Sequence, residues 1–155
     1  MRFLVQRVTR AKVVVEEETV GKIDSGFFVL IGVETGDNRA VADKMVQKLI
    51  GLRIFEDSEG KSNLPITEVG GEMLLISQFT LAADAKQGNR PSYFKAARPE
   101  EAEPMYDYIV DSVRRAGIHA ETGVFGAYMQ CELLNDGPFT IWLDSREICP
   151  KLHES

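Results

Sequence analysis

The chain has 155 residues, 44% hydrophobic and 27% charged, which is the composition of one ordinary globular domain with a single core. The formal net charge of −6 argues against a protein that grips a long duplex, DNA included, because such proteins present a basic stripe to the phosphates. The first ten residues lack the apolar region of a signal peptide, and no apolar run approaches the ~18 residues of a membrane span. We therefore expect a cytoplasmic protein without a membrane partner.

Cysteines and histidines are too few to indicate redox or metal chemistry. Cys131 and Cys149 are predicted to be free thiols, because no export signal accompanies them, and Cys131 is expected in the core. His119 and His153 complete no metal-ligand spacing, so we expect no metal and no cofactor. A catalytic base at His119 stays open as an alternative, since distant residues can meet in space.

The first half of the chain alternates strand patterns with one helix pattern. Short alternating apolar runs between residues 3 and 15 predict strand structure, and the continuous apolar run 27–33 predicts a buried strand. Apolar side chains at helical spacing predict a first helix over 40–52. The polar stretch 56–64 predicts a loop, and 73–81 predicts a further strand.

The polar stretch 84–98 predicts a second loop with a local excess of positive charge. Lys86, Arg90, Lys95 and Arg98 gather there with no acid between them. They form either a solvated loop or a short contact with the end of a nucleic acid.

The remaining elements complete an α+β pattern. A second helix is predicted to begin at Pro99, with acids in its first turn, and to end at Gly117. Strands are predicted over 128–134 and 139–143, followed by a loose polar tail from Arg146. The order predicts one domain spanning residues 1–155, a curled, mostly antiparallel sheet or barrel with helices outside.

Two segments carry polar groups that could support chemistry. Residues 77–81 read Ser-Gln-Phe-Thr-Leu, and strand alternation places Gln78 and Thr80 on one face and Ser77 and Phe79 on the other. These groups either satisfy neighbouring backbone or form the rim of a pocket. No nucleophile elbow, Walker loop or dinucleotide fingerprint is present.

Residues 135–140, Asn-Asp-Gly-Pro-Phe-Thr, form the second segment. The simplest interpretation is a hairpin turn between the two last strands. The Gly-Pro bond could also be cis, which would fix two carbonyls in an unusual direction, but spacing cannot decide between the two.

The two segments together closely resemble the motifs of the D-aminoacyl-tRNA deacylases, also called D-tyrosyl-tRNA deacylases. The resemblance extends over the whole chain. It includes Val-Gln-Arg-Val at 5–8, Gly-Asn-Arg-Pro-Ser-Tyr at 88–93 and Thr-Gly-Val-Phe-Gly-Ala-Tyr-Met at 122–129. Phe139 departs from the pattern, because the family commonly has Val there.

This resemblance implies a homodimeric hydrolase that cleaves the ester joining a D-amino acid to the terminal adenosine of tRNA, and that also clears mischarged glycyl-tRNA. Catalysis is assigned to Thr80 and to the main-chain amides of Gln78 and Phe79. A Gly-cisPro motif of each subunit is expected to enter the partner's site and reject L-amino acids by its backbone. The implied residues of substrate binding and chiral selection are Gly137, Pro138, Ser77, Phe125, Gly126, Met129 and Arg7.

The proton acceptor and two other functions stay open. An unactivated threonine hydroxyl has a high pKa, so the ribose hydroxyl of the substrate is favoured over Thr80 or water as the acceptor. The alternatives are a non-catalytic dimeric module that binds a nucleotide or RNA end, and a threonine-dependent esterase for a small metabolite. Preferred D-amino acids and tRNAs cannot be deduced from the sequence.

Overall fold

A computed structural model describes residues 1–154 of the chain. Its strands are β1 (Arg2–Val15), β2 (Glu18–Ile23), β3 (Gly26–Gly32), β4 (Arg53–Glu56), β5 (Ser62–Pro65), β6 (Glu72–Ser77), β7 (Ala120–Thr122) and β8 (Gln130–Asp144). Its α-helices are α1 (Arg39–Gly51), α2 (Pro99–Arg115) and α3 (Ser145–Ile148). Short 3-10 turns cover Ile66–Val69, Phe79–Ala82 and Pro150–His153.

The long strand β1 organises the main sheet. It pairs antiparallel with β8 along nearly its whole length, and on its other edge it pairs antiparallel with β3 and then β2. The sheet continues through parallel pairs from β3 to β6 and from β6 to β7. The result is a single domain with a nearly closed, barrel-like sheet and three helices, as predicted, although the sheet is mixed.

The sheet carries apolar side chains on both faces. Phe27, Val29 and Ile31 of β3 face the larger core, where α1 and α2 pack, and Phe28 between them faces a smaller core formed by β1, β2, β3 and β6. Strands covered on both faces have continuous apolar sequences, and this explains the run predicted at 27–33.

The two long helices begin and end close to their predicted limits. Asn38 caps α1 by accepting a hydrogen bond from the Val41 amide at 3.0 Å. Pro99 occupies the first turn of α2, and Gly117 follows its end with a positive φ of 87°. No helix within residues 1–154 is long and apolar enough to span a bilayer.

Two predictions of irregular structure need correction. In the polar stretch 56–64 the loop covers only residues 57–61, because the two ends belong to β4 and β5, which the Asp-Ser-Glu-Gly turn joins as a hairpin. The tail from Arg146 is ordered through residue 154, because Ser145 is fully buried and its Oγ lies 2.9 Å from His153 Nε2. Ser155 lies outside the described residues.

The predicted hairpin near the C-terminus was also wrong. Both halves belong to β8 and pair with β1 in the same direction, Thr140 opposite Gln6 and Asn135 opposite Val8. Residues 136–139 bulge out between these pairs. The Asn135 amide holds the bulge by donating to the carbonyls of Arg7, at 3.0 Å, and Phe139, at 2.9 Å.

Candidate active site

The Ser-Gln-Phe-Thr-Leu segment leaves the sheet at the end of β6. Strand structure stops at Ser77, and Phe79–Ala82 forms a 3-10 turn. The predicted strand alternation of Gln78 and Thr80 is therefore wrong. The turn instead lets Gln78 Nε2 donate a hydrogen bond to Thr80 Oγ1.

The backbone amides of this turn differ in whether they are free to donate a hydrogen bond to a ligand. The Gln78 N–H donates to the Ile31 carbonyl at 2.7 Å, so this amide already has an acceptor within the chain, and its predicted contact with the substrate stays a prediction. Within the described part of the chain, the amides of Phe79 and Thr80 have no hydrogen-bond acceptor. Two adjacent N–H groups at the start of the turn are thus available to an oxyanion.

Gly32 lets the turn pack closely against β3. A Cβ atom added at Gly32 would lie 2.9 Å from Leu81 Cβ and 3.2 Å from the Gln78 carbonyl oxygen. The position therefore requires glycine for close approach rather than for an unusual φ. This contact, which we did not foresee from the sequence, sets the distance between the turn and the sheet.

A cavity of about 480 Å³ opens beside the turn. It lies where the parallel strands β3 and β6 end, near the start of α2, which is the edge where α/β sheets commonly bind ligands. The cavity is lined by Val33, Ser77, Gln78, Phe79, Tyr93, Ala97, Pro99, Ala102, Phe125, Gly126, Ala127 and Met129. Its size is that of a small-molecule site.

The structure brings six of the ten predicted site residues to this cavity: Ser77, Gln78, Phe79, Phe125, Gly126 and Met129. Thr80 joins them through its hydrogen bond to Gln78. Phe125 packs against the larger core as well, so this ring contributes to both the cavity wall and the core.

Several lining residues were not predicted as site residues. Tyr93 and Ala97 reach the cavity because residues 84–98 fold back onto the end of β3, where the Ala97 N–H donates to the Val33 carbonyl at 3.0 Å. The Tyr93 ring meets Phe79 edge to face, with centroids 5.2 Å apart. The only sequence signal for this was the Gly-Asn-Arg-Pro-Ser-Tyr resemblance.

Gly137 and Pro138 do not line this cavity within the described chain. They lie exposed on the bulge of β8, and the peptide bond between them is cis. Gly137 has a positive φ of 134°, and a Cβ added there would lie 3.1 Å from the Phe139 nitrogen and 3.2 Å from Arg7 Nη2. The bulge therefore presents bare backbone, close to Arg7, on the outer surface.

Arg7 is buried behind the bulge. Its Nη1 donates to the Ile54 carbonyl at 2.6 Å and its Nε to the Asp136 carbonyl at 3.2 Å. The guanidinium also lies 4.7 Å from the centroid of the Phe139 ring. A single side chain thus ties β4 to the bulge.

The remaining candidates for chemistry lie elsewhere. His119 is exposed beside Glu72 and Glu121 and does not line the cavity. Cys131 is exposed on β8, so its predicted place in the core was wrong, whereas Cys149 is buried and both are free thiols. No group of three or more His, Cys, Asp or Glu side chains within residues 1–154 is arranged to hold a metal ion.

Buried Tyr106 supports the cavity from α2. Its hydroxyl donates to the Leu75 carbonyl of β6 at 2.6 Å, and its ring lies 6.2 Å from that of Phe125. Burial, with a smaller contribution from the charge of Asp107, raises the pKa of Tyr106 well above its usual range. The residue is therefore a neutral donor that holds α2 against the strand ending in Ser77.

Comparison with known proteins agrees with the motifs. The family model for D-Tyr-tRNA(Tyr) deacylase matches residues 4–144. A D-aminoacyl-tRNA deacylase of Symbiobacterium thermophilum is 51% identical over 95% of this chain and 97% of its own length. The Escherichia coli D-aminoacyl-tRNA deacylase is 50% identical over 92% and 99%.

Two solved structures share the fold. The c-Myc DNA Unwinding Element Binding Protein superposes with a TM-score of 0.88 at 38% identity, covering 93% of this chain and 98% of its own. A probable eukaryotic D-amino acid tRNA deacylase superposes with a TM-score of 0.77 at 17% identity, covering 92% and 97%. Given these matches, the chain belongs to the D-aminoacyl-tRNA deacylase family, hydrolases that act on ester bonds.

Proposed function

We propose that this enzyme hydrolyses the ester of D-aminoacyl-tRNA and of mischarged glycyl-tRNA in the cavity beside the Phe79–Ala82 turn, releasing tRNA and the free amino acid. The observation that carries the proposal is the pair of unpartnered amides, Phe79 and Thr80, at the edge of a cavity of about 480 Å³. The cavity is large enough for a terminal adenosine. Its substrate is made for translation, so we place the enzyme in the cytoplasm.

The chemistry requires stabilisation of a tetrahedral oxyanion. As water attacks the ester carbonyl, negative charge develops on the carbonyl oxygen, and the amides of Phe79 and Thr80 donate to it. A donor of this kind contributes about 3 kcal/mol to transition-state stability. Because an aminoacyl ester is already activated, such a modest catalyst suffices.

The proposed proton acceptor is the neighbouring ribose hydroxyl of the substrate. Thr80 Oγ1 accepts a hydrogen bond from an amide, Gln78 Nε2, and an amide cannot remove the proton of the hydroxyl. Nothing in this contact activates Thr80 as a nucleophile. We therefore assign Thr80 a role in positioning water or the ester.

Chiral selection is assigned to the Gly137–Pro138 backbone. A wall of main chain clashes with an L side chain whatever its identity and leaves a D side chain directed outward. Glycine has no side chain to exclude, so its ester is cleaved as well. Arg7, Phe139 and the Asn135 amide hold the wall in place through the contacts described above.

We further propose that the wall acts across a homodimer. Gly137 and Pro138 are exposed and do not line the cavity of their own chain. Their strand, β8, pairs only with β1 among the described strands, and it exposes 47% of Leu134 and 44% of Trp142. A long edge strand with exposed apolar side chains needs a cover. A second copy would supply that cover and bring each bulge to the partner's cavity.

The direct test is ester loss from matched substrates. The enzyme is incubated with one tRNA charged with D-tyrosine, L-tyrosine or glycine, and the remaining aminoacyl-tRNA is counted over time. We expect cleavage of the D-tyrosyl and glycyl esters and no cleavage of the L-tyrosyl ester above the uncatalysed rate. Binding of tRNA without ester loss would instead favour a nucleic-acid-binding module, the role indicated by the name of the c-Myc DNA Unwinding Element Binding Protein.

A further inference from the structure

Residues 84–98, hereafter the basic loop, carry four cations on a segment whose Tyr93 and Ala97 line the cavity. Lys86, Arg90 and Arg98 are exposed and Lys95 is half-buried. In the described part of the chain, none of the four makes an ion pair. Since the whole chain has a net charge of −6, this is a local reversal of sign, which attracts an anionic partner to this one place.

Hydrogen bonds hold the basic loop in a defined shape. The backbones of Asp84 and Ser92 close its first part with two bonds of 2.7 and 2.8 Å, and the Lys86 N–H donates to Asp84 Oδ1 at 3.0 Å. Its second part is tied to the end of β3 by the bond from Ala97 to Val33. The cations therefore project from an ordered scaffold next to the cavity.

Two aromatic residues of the basic loop, Tyr93 and Phe94, lie between its cations Arg90 and Lys95. Phe94 is 72% exposed, and Lys95 Nζ lies 5.8 Å from its ring centroid. Tyr93 lines the cavity and meets Phe79, which is itself 56% exposed. Exposed rings that stack on bases, beside cations that follow phosphates, are the features of surfaces that bind single-stranded nucleic acid.

We propose that the basic loop binds the single-stranded 3′ segment of tRNA that leads into the cavity. Lys86, Arg90, Lys95 and Arg98 contact its phosphates, and Phe94 stacks on a base upstream of the terminal adenosine. This inference rests on the proposed function, because the cavity must hold the aminoacylated end. Charge complementarity favours RNA over a second copy of this acidic chain at this surface, since cations without an acidic partner attract the phosphates of a nucleic acid.

The first test separates phosphate contacts from chemistry. Kinetics of the double variant Lys86→Gln/Arg90→Gln are measured on D-tyrosyl-tRNA and on the D-tyrosyl ester of adenosine alone, which has no phosphate. We expect KM for the tRNA to rise about tenfold. The slope of log KM against the logarithm of salt concentration should become shallower by about 1.4, or about 0.7 for each lost phosphate contact. Hydrolysis of the adenosine ester and kcat should not change.

Two further variants sharpen the result. The control Lys44→Gln/Lys48→Gln removes the same charge from exposed positions of α1, away from the cavity, and should leave KM unchanged. Phe94→Leu removes the ring but keeps an apolar side chain. It should raise KM for the tRNA about tenfold, the loss expected for one stacked base, and leave the adenosine ester unaffected.

The outcomes discriminate between this inference and the proposed function. If the wild-type enzyme cleaves neither substrate, the proposed function fails. If it cleaves both and the basic-loop variants match it on tRNA, only the present inference fails. Equal losses on both substrates, equal losses in the α1 control, or a loss explained by a change in oligomeric mass would also overturn it.

Discussion

The hydroxyl of Thr80 lies next to an amide and not next to a base, and this contact decides its expected role. Thr80→Val keeps the shape of the side chain and removes the hydroxyl. We expect its kcat to fall by no more than about 100-fold, the lower end of the contribution of one general base, and Thr80→Ser to remain close to wild type. Single-turnover assays with D-tyrosyl-tRNA provide the measurement.

A covalent role for Thr80 would give a different result. It would appear as complete loss of activity in Thr80→Val, together with an acyl-enzyme that can be trapped from the wild type by acid quench. Mass spectrometry of the quenched protein distinguishes the two cases, since the acyl group adds the mass of the D-aminoacyl residue.

Gly137 combines a positive φ with close neighbours, so its replacement should affect the site. Gly137→Ala introduces about 1–3 kcal/mol of local strain and displaces the bulge from Arg7. Because displacements of about 1 Å can cost up to about 100-fold in rate, we expect kcat/KM on D-tyrosyl-tRNA to fall at least tenfold.

Gly60 offers a matched control for this substitution. It also has a positive φ, 74°, but no atom lies within 4 Å of the Cβ that alanine would add. Gly60→Ala should therefore cost only backbone strain, about 1–2 kcal/mol, and leave deacylation unchanged. Equal activity of the two variants would remove Gly137 from the proposed site.

Among the elements, α2 supports the cavity through a buried hydrogen bond. Tyr106→Phe leaves the Leu75 carbonyl without its partner, so we expect the free energy of unfolding to fall by about 1–2 kcal/mol at neutral pH. Tyr128→Phe is the control. That ring is 86% exposed, and its change should stay within about 0.5 kcal/mol.

The wild type and Tyr106→Phe should also differ in how their stability responds to alkaline pH. Burial raises the pKa of Tyr106 in the folded state, whereas the unfolded chain ionises this tyrosine at about pH 10. Ionisation therefore stabilises only the unfolded wild type as the pH rises, and the advantage of the wild type over Tyr106→Phe shrinks by roughly 1 kcal/mol near pH 10.5. Urea denaturation at pH 8 and about pH 10.5 measures the difference, and a constant gap would contradict the assignment.

Elements that are long and periodic were predictable from the sequence, and those decided by distant pairing were not. The helical spacing of α1 and the Pro and Gly at the ends of α2 depend on local chemistry, so their limits were predicted closely. The Asn-Asp-Gly-Pro segment has the composition of a hairpin turn. Its actual place as a bulge depends on pairing of both halves of β8 with β1, more than 110 positions earlier in the chain.

The candidate site shows the same division. The motif at 77–81 identified one wall of the cavity, yet the 3-10 turn and the bond that occupies the Gln78 amide depend on how β6 lies beside β3. Gly32 and Ala97 have no local signal of function. They enter the site only because β3, β6 and the basic loop converge.

At the scale of the whole molecule, the proposal that the bulge of one chain serves the cavity of the other predicts complementation between subunits. If each site combines the cavity of one chain with the bulge of the other, a Gly137→Ala chain paired with a Gln78→Ala chain contains one intact site. It takes its cavity from the Gly137 variant and its bulge from the Gln78 variant, while the second site carries both changes.

Random exchange of the two impaired homodimers should therefore raise activity to about a quarter of the wild-type value, since half the dimers are mixed and each has one working site of two. Activity is followed on D-tyrosyl-tRNA after joint refolding, with each variant refolded alone as the control and oligomeric mass measured in every sample. If the bulge served its own chain, each mixed dimer would still carry one damaged residue in every site. A mixture no more active than its components, at unchanged dimer content, would then assign Gly137 and Gln78 to a site within one chain.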